Sequence, residues 1–145
     1  MITGEIKNKI DSIWDDFFSA GMSEYLTVIE QFSYLMFIHS LDEVENETEQ
    51  YEKFSGEKKE HIFPADKQNY RWHIFKTFEE TELFNLMDKK IFPFIKTING
   101  NEESAFARYM KDAAFSIPSP QTLKAVITKL DELFENPEVQ ARDML

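Results

Sequence analysis

Histidines and one serine are the residues of this chain whose types most directly suggest chemistry. His39, His61 and His73 share no metal-ligand spacing, and no His-Glu-x-x-His motif occurs. Ser23 lies in the segment Gly21–Tyr25, which begins like a nucleophile elbow but lacks the second glycine of that motif. A serine placed there more often caps a helix, because its hydroxyl accepts a hydrogen bond from a free backbone N–H. The sequence therefore predicts no catalytic residue and no metal site.

The glycine pattern does not favour a cofactor site either. A nucleotide or S-adenosylmethionine pocket of the usual doubly wound kind needs clustered glycines, so that backbone amides can approach the ligand. The four glycines of this chain, Gly4, Gly21, Gly56 and Gly100, lie far apart. We therefore predict that the chain itself holds no cofactor.

An acidic run extends from residue 42 to residue 52. It lacks the Asp-x-Asp-x-Asp-Gly order of a calcium loop, so a solvated helix face is the favoured interpretation. Glu43 and Glu47, like Glu45 and Glu49, repel each other at a spacing of four residues. We therefore predict that the helix frays near this run.

One stretch, residues 67–76, interleaves basic and aromatic side chains. Basic groups could pair with phosphates while aromatic rings stack on a partner, which would make this a DNA or protein contact. The alternative, which we favour, is that the rings plug the core while the charged tips extend to solvent. A second, weaker basic pair lies one helical turn apart further along the chain. The candidate contact residues are Lys67, Arg71, Trp72, Lys76, Arg108 and Lys111.

Apolar residues at helical spacing predict the elements that position these groups. A first helix is expected over about residues 4–20, ending at Gly21. A longer helix capped by Ser23 is apolar around much of its circumference, which is typical of a central helix covered on several sides. Residues 54–69 are predicted to form a loop, and residues 70–75 are ambiguous between a short helix and an extended segment.

The second half of the chain predicts three further helices. Thr77 and Glu80 have capping-box spacing before a third apolar stripe, in which Pro93 should kink or break the helix just before itself. A short helix is expected over about residues 102–111, and Ser119 followed by Pro120 predicts the start of the last one. The fold class is therefore all-α: a compact bundle of about five to six helices with orthogonal or irregular packing and a loop-rich segment around residues 53–76.

Composition places the chain among small soluble domains. Its 145 residues suit one domain, and 42% hydrophobic residues supply a core. It has no cysteine, no secretion signal and no apolar run that could span a membrane, which favours the cytoplasm. The formal net charge of −11 is opposite to that of a free-standing DNA binder, so any contact with DNA needs a local basic patch or a partner.

The succession of motifs resembles the N-terminal domain of the modification (methyltransferase) subunits of type I restriction-modification systems, and the resemblance covers essentially the whole chain. Its specificity comes from the order and spacing of the matching stretches rather than from any one of them. These stretches are Ile13–Phe18, Val28–Ile38 running to Glu43, Ile62–Pro64, Arg71–Lys76, Ile91–Phe94, Met110–Pro118 and Arg142–Leu145.

The resemblance implies a domain architecture in which residues 1–137 form the helical domain and residues 138–145 begin a linker to a methyltransferase domain that this chain lacks. In the family that domain binds S-adenosylmethionine and carries an Asn-Pro-Pro-aromatic motif that holds a flipped adenine for N6 methylation. Asn136–Pro137 is followed by Glu138 and does not match this motif. The full-length parent is thus expected to be a DNA adenine-N6 methyltransferase, although this fragment is expected to be non-catalytic.

The resemblance also implies partners and a role. The domain would pack beside the catalytic domain and help two modification subunits close around DNA that a specificity subunit holds. The restriction subunit is a further candidate partner, and no membrane is expected. The alternative from the residues alone is a stand-alone acidic helical adaptor that regulates a protein partner. The coding sequence downstream of Leu145 would separate the two.

Overall fold

The computed structural model of the protein describes residues 4–97, 110, 112–137 and 139, and this part of the chain is helical with no β-strand. The helices are α1 (Gly4–Ser19), α2 (Tyr25–Ser55), α3 (Trp72–Phe75), α4 (Glu80–Leu86), α5 (Phe92–Ile95) and α6 (Pro120–Glu135). A 3-10 segment, Ala65–Tyr70, precedes α3, and a π-helical turn, Met87–Ile91, joins α4 to α5. The all-α prediction is confirmed.

The core forms where α1 and α4 both pack against α6 and α3 packs against α2. Helix α1 buries Ile6, Ile13 and Phe17, which share one face at helical spacing. Helix α6 supplies Leu123, Val126, Ile127, Leu130 and Leu133. Lysines tie the edges of the α1–α6 contact: Lys129 Nζ lies 2.7 Å from Asp16, and Lys9 pairs with Glu132.

Two predicted helix ends are confirmed. The Ser119 hydroxyl accepts a hydrogen bond from the Thr122 N–H at 3.2 Å, and Pro120 occupies the first turn of α6. Gly21 follows α1 with a φ of 93°, a left-handed conformation that favours glycine. The predicted helix over about residues 102–111 and the stop at Asn99–Gly100 lie outside the described residues, apart from the buried Met110.

Two predicted caps are wrong by one or two residues. The N-cap of α2 is Glu24 rather than Ser23, and it makes no side-chain capping bond. The N-cap of α4 is Glu79, whose carboxylate accepts hydrogen bonds from the N–H groups of Thr81 and Glu82. The Thr77 hydroxyl instead donates to the Ile74 carbonyl in the preceding turn. At α4 a neighbouring carboxylate thus replaces the predicted threonine hydroxyl as the capping group, whereas α2 begins without a side-chain cap.

The chain passes Pro93 without ending the helix. The π-helical turn Met87–Ile91 lies immediately before the helical turn that contains the proline. A proline has no N–H to donate to the preceding turn, and a π turn is one way to accommodate that loss. We predicted a kink or break just before Pro93, and the structure has a π-helical turn there instead of a helix end.

The acidic run does not fray. Helix α2 continues unbroken to Ser55, and Gly56 ends it with a φ of 73°. Asp42 and Glu45 are buried rather than solvated. Their carboxylates have partners from other segments, described below, and these contacts outweigh the weak repulsion between neighbouring glutamates. No described helix combines the length and hydrophobicity needed to cross a bilayer.

Candidate partner-contact surface

The stretch with candidate contact residues, 67–76, lies against the C-terminal half of α2 and the C-terminal half of α6. Its position follows from a network of charged hydrogen bonds, which we call the α2 network and define as Asp42, Glu45, Glu49 and Glu52 with Arg71, His61 and His73. These carboxylates recur at three- and four-residue spacing, so they lie on the inward-facing side of α2.

Arg71 is the centre of this network, with only 3% of its surface exposed. Its Nε donates to Asp42 at 2.6 Å, and its two terminal nitrogens form a bidentate pair with Glu49 at 3.0 Å each. Asn46 and Gln68 accept its remaining two N–H groups at 2.8 and 3.0 Å. All five donors of the guanidinium are therefore satisfied inside the protein.

Asp42 links Arg71 to the start of α3. Its second oxygen accepts hydrogen bonds from the backbone N–H of His73 at 2.9 Å and from the His73 ring at 2.8 Å. Burial alone would raise the pKa of Asp42, but the bonds from His73 and Arg71 lower it overall. The hydrogen bond from Arg71 likewise lowers the pKa of Glu49. Both carboxylates are therefore held in the ionised form.

His61 connects the loop after α2 back to the helix. One ring nitrogen lies 3.0 Å from Glu45 and the other 2.8 Å from Glu52, so both carboxylates favour the protonated ring and raise the pKa of His61. Glu45 also accepts hydrogen bonds from the backbone N–H groups of Ile62 and Phe63 at 3.3 and 2.8 Å. These bonds fix residues 61–63 on the acidic face of α2.

The other predicted contact residues connect to α6. Trp72 is buried, and its indole N–H donates to Asp131 at 2.9 Å. Lys76 Nζ lies 3.0 Å from the second oxygen of Asp131, which raises the pKa of Lys76, and 3.5 Å from Glu135. In return, Lys124 of α6 donates to the carbonyls of Lys76 and Phe78 at 2.6 and 2.8 Å.

Lys67 is the most accessible of the four candidates in this stretch. Its side chain is half-exposed and its Nζ lies 3.5 Å from Asp66. Arg108 and Lys111 lie outside the described residues. The structure thus brings Arg71, Trp72 and Lys76 together, but it turns them towards acidic partners of their own chain. Whether these residues contact DNA or a partner remains a prediction.

An open cleft of about 580 Å³ lies beside this stretch, between α2, α3 and α6. His39 forms one wall: its ring stacks on Phe134 at 3.8 Å between centroids and its Nδ1 lies 2.8 Å from Glu43. Five carboxylates, one lysine and two histidines line the cleft, so it carries a negative potential. The charged lining residues are Asp42, Glu43, Glu47, Asp131, Glu135, Lys76, His39 and His73.

These groups act mainly to hold the fold. Every buried side-chain nitrogen and oxygen in the described ranges has a hydrogen-bond partner, so no group is left over as an unexplained buried donor or acceptor. In the same ranges, no cluster of three or more histidine, aspartate or glutamate side chains has the geometry of a metal site. One sequence signal of the network is the spacing of Asp42, Glu45, Glu49 and Glu52, which places them on one helix face but does not identify the cations that pair with them.

Comparison with known protein families gives one match. A family model described as the HsdM N-terminal domain matches residues 6–130, which is most of the chain. No curated protein and no solved structure gives a significant match. The matched range contains α2 to α5, the whole α2 network and most of α1 and α6.

Proposed function

Because the chain belongs to the HsdM N-terminal domain family, found at the start of type I restriction-modification methyltransferase subunits, we propose that it is a helical assembly and DNA-clamping domain. Its partners are the catalytic domain of the parent subunit, the specificity subunit, a second modification subunit and DNA in the assembled complex. The restriction subunit is a further candidate. The parent acts in the bacterial cytoplasm as a DNA adenine-N6 methyltransferase of a defence system.

One observation carries this proposal beyond family membership: the strongest candidate cations for DNA are engaged inside the chain. Arg71 is buried against Asp42 and Glu49, and Lys76 pairs with Asp131. Phosphate binding needs accessible cations, and the chain as a whole carries a net charge of −11. Such a domain is better suited to hold protein partners in place around DNA than to bind the duplex alone.

The candidate contact residues then divide by role. We assign direct DNA or partner contact first to Lys67, because its side chain is more exposed than those of Arg71 and Lys76. Arg71, Trp72 and Lys76 act indirectly, by fixing this stretch on α2 and α6. Arg108 and Lys111 remain candidates for direct contact.

The cofactor of the parent does not belong in this part of the protein. The described glycines lie at the start of α1, after α1 and after α2, rather than in one turn. The described ranges also contain no parallel sheet to carry a glycine-rich loop. These residues do not fit S-adenosylmethionine, and we assign it to a catalytic domain that follows a linker beginning near residue 138.

The test compares the parent subunit with a variant that lacks residues 1–137, each mixed with the specificity subunit. We expect the truncated subunit to bind the cofactor but to lose stable assembly and adenine methylation. The isolated domain should bind duplex DNA only in the nonspecific range, with a Kd of about 10⁻⁶ to 10⁻⁴ M at physiological salt. Unimpaired methylation by the truncated subunit, or much tighter DNA binding by the domain alone, would contradict the proposal.

A charge variant tests the assignment of Lys67. In the full complex, Lys67→Gln should reduce the slope of log K against log salt by about one unit if this lysine contacts a phosphate. Lys90→Gln, at an exposed lysine in the π-helical turn, is the matched control and should leave the slope unchanged. An equal slope for Lys67→Gln and the parent would remove Lys67 from the DNA contact.

A further inference from the structure

Helix α2 carries large hydrophobic side chains on two opposite faces, and in the described part of the chain only one of these faces is buried. Its buried residues occupy an arc of about 140° around the helix axis at 100° per residue. Of the eight large hydrophobic side chains that are exposed in the described part of the chain, seven lie on α2, and they occupy an arc of about 100° on the opposite side. We call this second face the outer stripe: Tyr25, Leu26, Ile29, Met36, Val44, Tyr51 and Phe54.

The outer stripe is long enough to be a docking surface. It runs along most of the 31 residues of α2, which is about 46 Å at 1.5 Å per residue. At its N-terminal end it continues onto α1, where Phe18 and Trp14 pack around the Tyr25 ring at 6.2 and 5.1 Å between centroids. Ile29 and Met36, in its N-terminal half, are 44% and 42% exposed. Scattered single hydrophobics are ordinary on a surface, but seven large ones within one arc of a single helix are concentrated enough to mark an interaction site.

The charges on and beside the stripe identify the kind of partner. The same arc contains two serines and two glutamates, Glu43 and Glu47, but no lysine or arginine. Both glutamates also line the acidic cleft beside α3 and α6, so the apolar stripe and the cleft form one continuous surface. A partner that buries the stripe therefore meets negative potential along one edge, and basic side chains there would be complementary.

We propose that the outer stripe binds an amphipathic helix of another protein chain or domain, whose apolar side packs along α2 and whose flanking lysines or arginines face Glu43, Glu47 and the acidic cleft. Two helices can pack in this way at about 8–10 Å between axes, with the partner contributing hydrophobic residues every three or four positions. The proposal rests on the proposed function only in placing the domain inside an assembly.

Other occupants fit the surface less well. DNA and anionic lipid headgroups would be repelled by the glutamates and the cleft. A second copy of the chain would bring the same acidic edge with it, and like charges opposed across an interface are costly. A basic amphipathic helix satisfies both the apolar row and the charge beside it.

The test measures binding of two synthetic 24-residue helices to this chain by fluorescence anisotropy. Both peptides carry the same leucine and methionine face, and one has lysine flanks where the other has glutamate flanks. We expect the lysine peptide to bind at least about tenfold more tightly, and its affinity to fall as salt rises. Equal binding of the two peptides, or no binding of either, would overturn the proposal.

Two variants test the site. Ile29→Gln combined with Met36→Gln should weaken binding of the lysine peptide about tenfold or more, because it removes two apolar contacts from the N-terminal half of the stripe. Glu43→Gln with Glu47→Gln should weaken it severalfold and flatten its salt dependence. Glu82→Gln with Asp88→Asn removes the same charge from exposed positions outside the stripe and cleft, and should change the affinity less than twofold. Circular dichroism should show unchanged helix content for each variant.

The remaining outcomes separate this proposal from the proposed function. If the wild-type domain supports assembly with the specificity subunit and the Ile29→Gln/Met36→Gln variant supports it equally, the stripe is not a partner site, although the assembly role stands. If the wild-type domain supports no assembly, the proposed function fails while the peptide result still decides the stripe. Sedimentation that shows a dimer of this chain, abolished by the stripe variant, would assign the face to a second copy and overturn our choice of occupant.

Discussion

The two halves of α2 are held in the protein by different forces. The N-terminal half buries hydrocarbon, with Val28, Leu35 and Ile38 almost fully removed from solvent. The C-terminal half buries carboxylates, with Asp42 and Glu45 as inaccessible as the core leucines. Hydrophobic burial has no partner requirement, whereas a buried carboxylate is stable only with its cation and N–H donors in place. The packing of the N-terminal half therefore does not depend on any one partner residue, whereas the packing of the C-terminal half depends on Arg71 and His61.

The largest expected effect comes from removing the cation of the C-terminal half. Arg71→Ala should lower the free energy of unfolding by about 3–5 kcal/mol, because Asp42 would remain buried without its counter-charge. Urea unfolding at pH 7 measures this free energy. The free energy of unfolding of Arg71→Lys should lie between those of the parent and Arg71→Ala, since lysine keeps the charge but loses the bidentate contact with Glu49.

A control for that substitution lies in the same stretch of the chain. Lys67→Ala removes a half-exposed lysine with one long ion pair, and it should cost no more than about 0.5 kcal/mol. A loss of under about 1 kcal/mol for Arg71→Ala would mean that the α2 network adds little to stability. The two halves of α2 would then not differ as described.

The corresponding change in the N-terminal half is Leu35→Ala. It should cost about 2–5 kcal/mol through lost burial and the cavity left behind. Met36→Ala, at the next position but on the exposed face, is the matched control and should stay within about 0.5 kcal/mol. The loss for Leu35→Ala should not vary with pH. A strong pH dependence would show that the two halves are coupled.

Of the two halves of α2, only the C-terminal half should lose stabilising interactions as pH falls. The pKa values of Asp42 and Glu49 are lowered in the folded protein, so the stability they contribute is present above their unfolded values of 3.8 and 4.5 and is lost as pH falls through the lower folded values. We therefore expect the cost of Arg71→Ala to shrink between about pH 5 and pH 2, while that of Leu35→Ala does not. If the stability cost of the two variants changed with pH in the same way, this prediction would be contradicted.

The same contrast explains how much of the fold the sequence could predict. The helices that depend on apolar periodicity, such as α1 and α6, lie where the pattern predicts them, and so do the Ser119 cap and Gly21. The C-terminal half of α2 could not be predicted from local rules, because its glutamates repel one another unless distant cations meet them. Arg71 lies 29 residues from Asp42, and nothing local to the acidic run indicates that pairing.

The candidate site was predictable in location and less so in orientation. The sequence singled out residues 67–76 and favoured a packed Trp72, which the structure buries. The sequence predicted that the charged tips would lie at the surface. Arg71 instead points inward, because five side-chain oxygens accept hydrogen bonds from its guanidinium group. The outer stripe was visible only as a helix apolar around much of its circumference. The pattern indicated a covered helix, and it could not show that one face stays exposed in the described part of the chain.

The smallest expected effect concerns His61, at the solvent edge of the C-terminal half. Its pKa is raised in the folded protein by Glu45 and Glu52, so its contribution to stability is fully present below the unfolded value of 6.5 and is lost as pH rises through the folded value. The melting temperature should therefore be slightly higher at pH 6 than at pH 8.5, and His61→Gln should reduce this difference. Lys58→Gln removes a positive charge from the same loop without touching the bonds of His61 to Glu45 and Glu52, and it should leave the difference intact. If His61→Gln left the difference unchanged, the charged hydrogen bonds that stabilise this half would be those of Arg71 rather than those of His61.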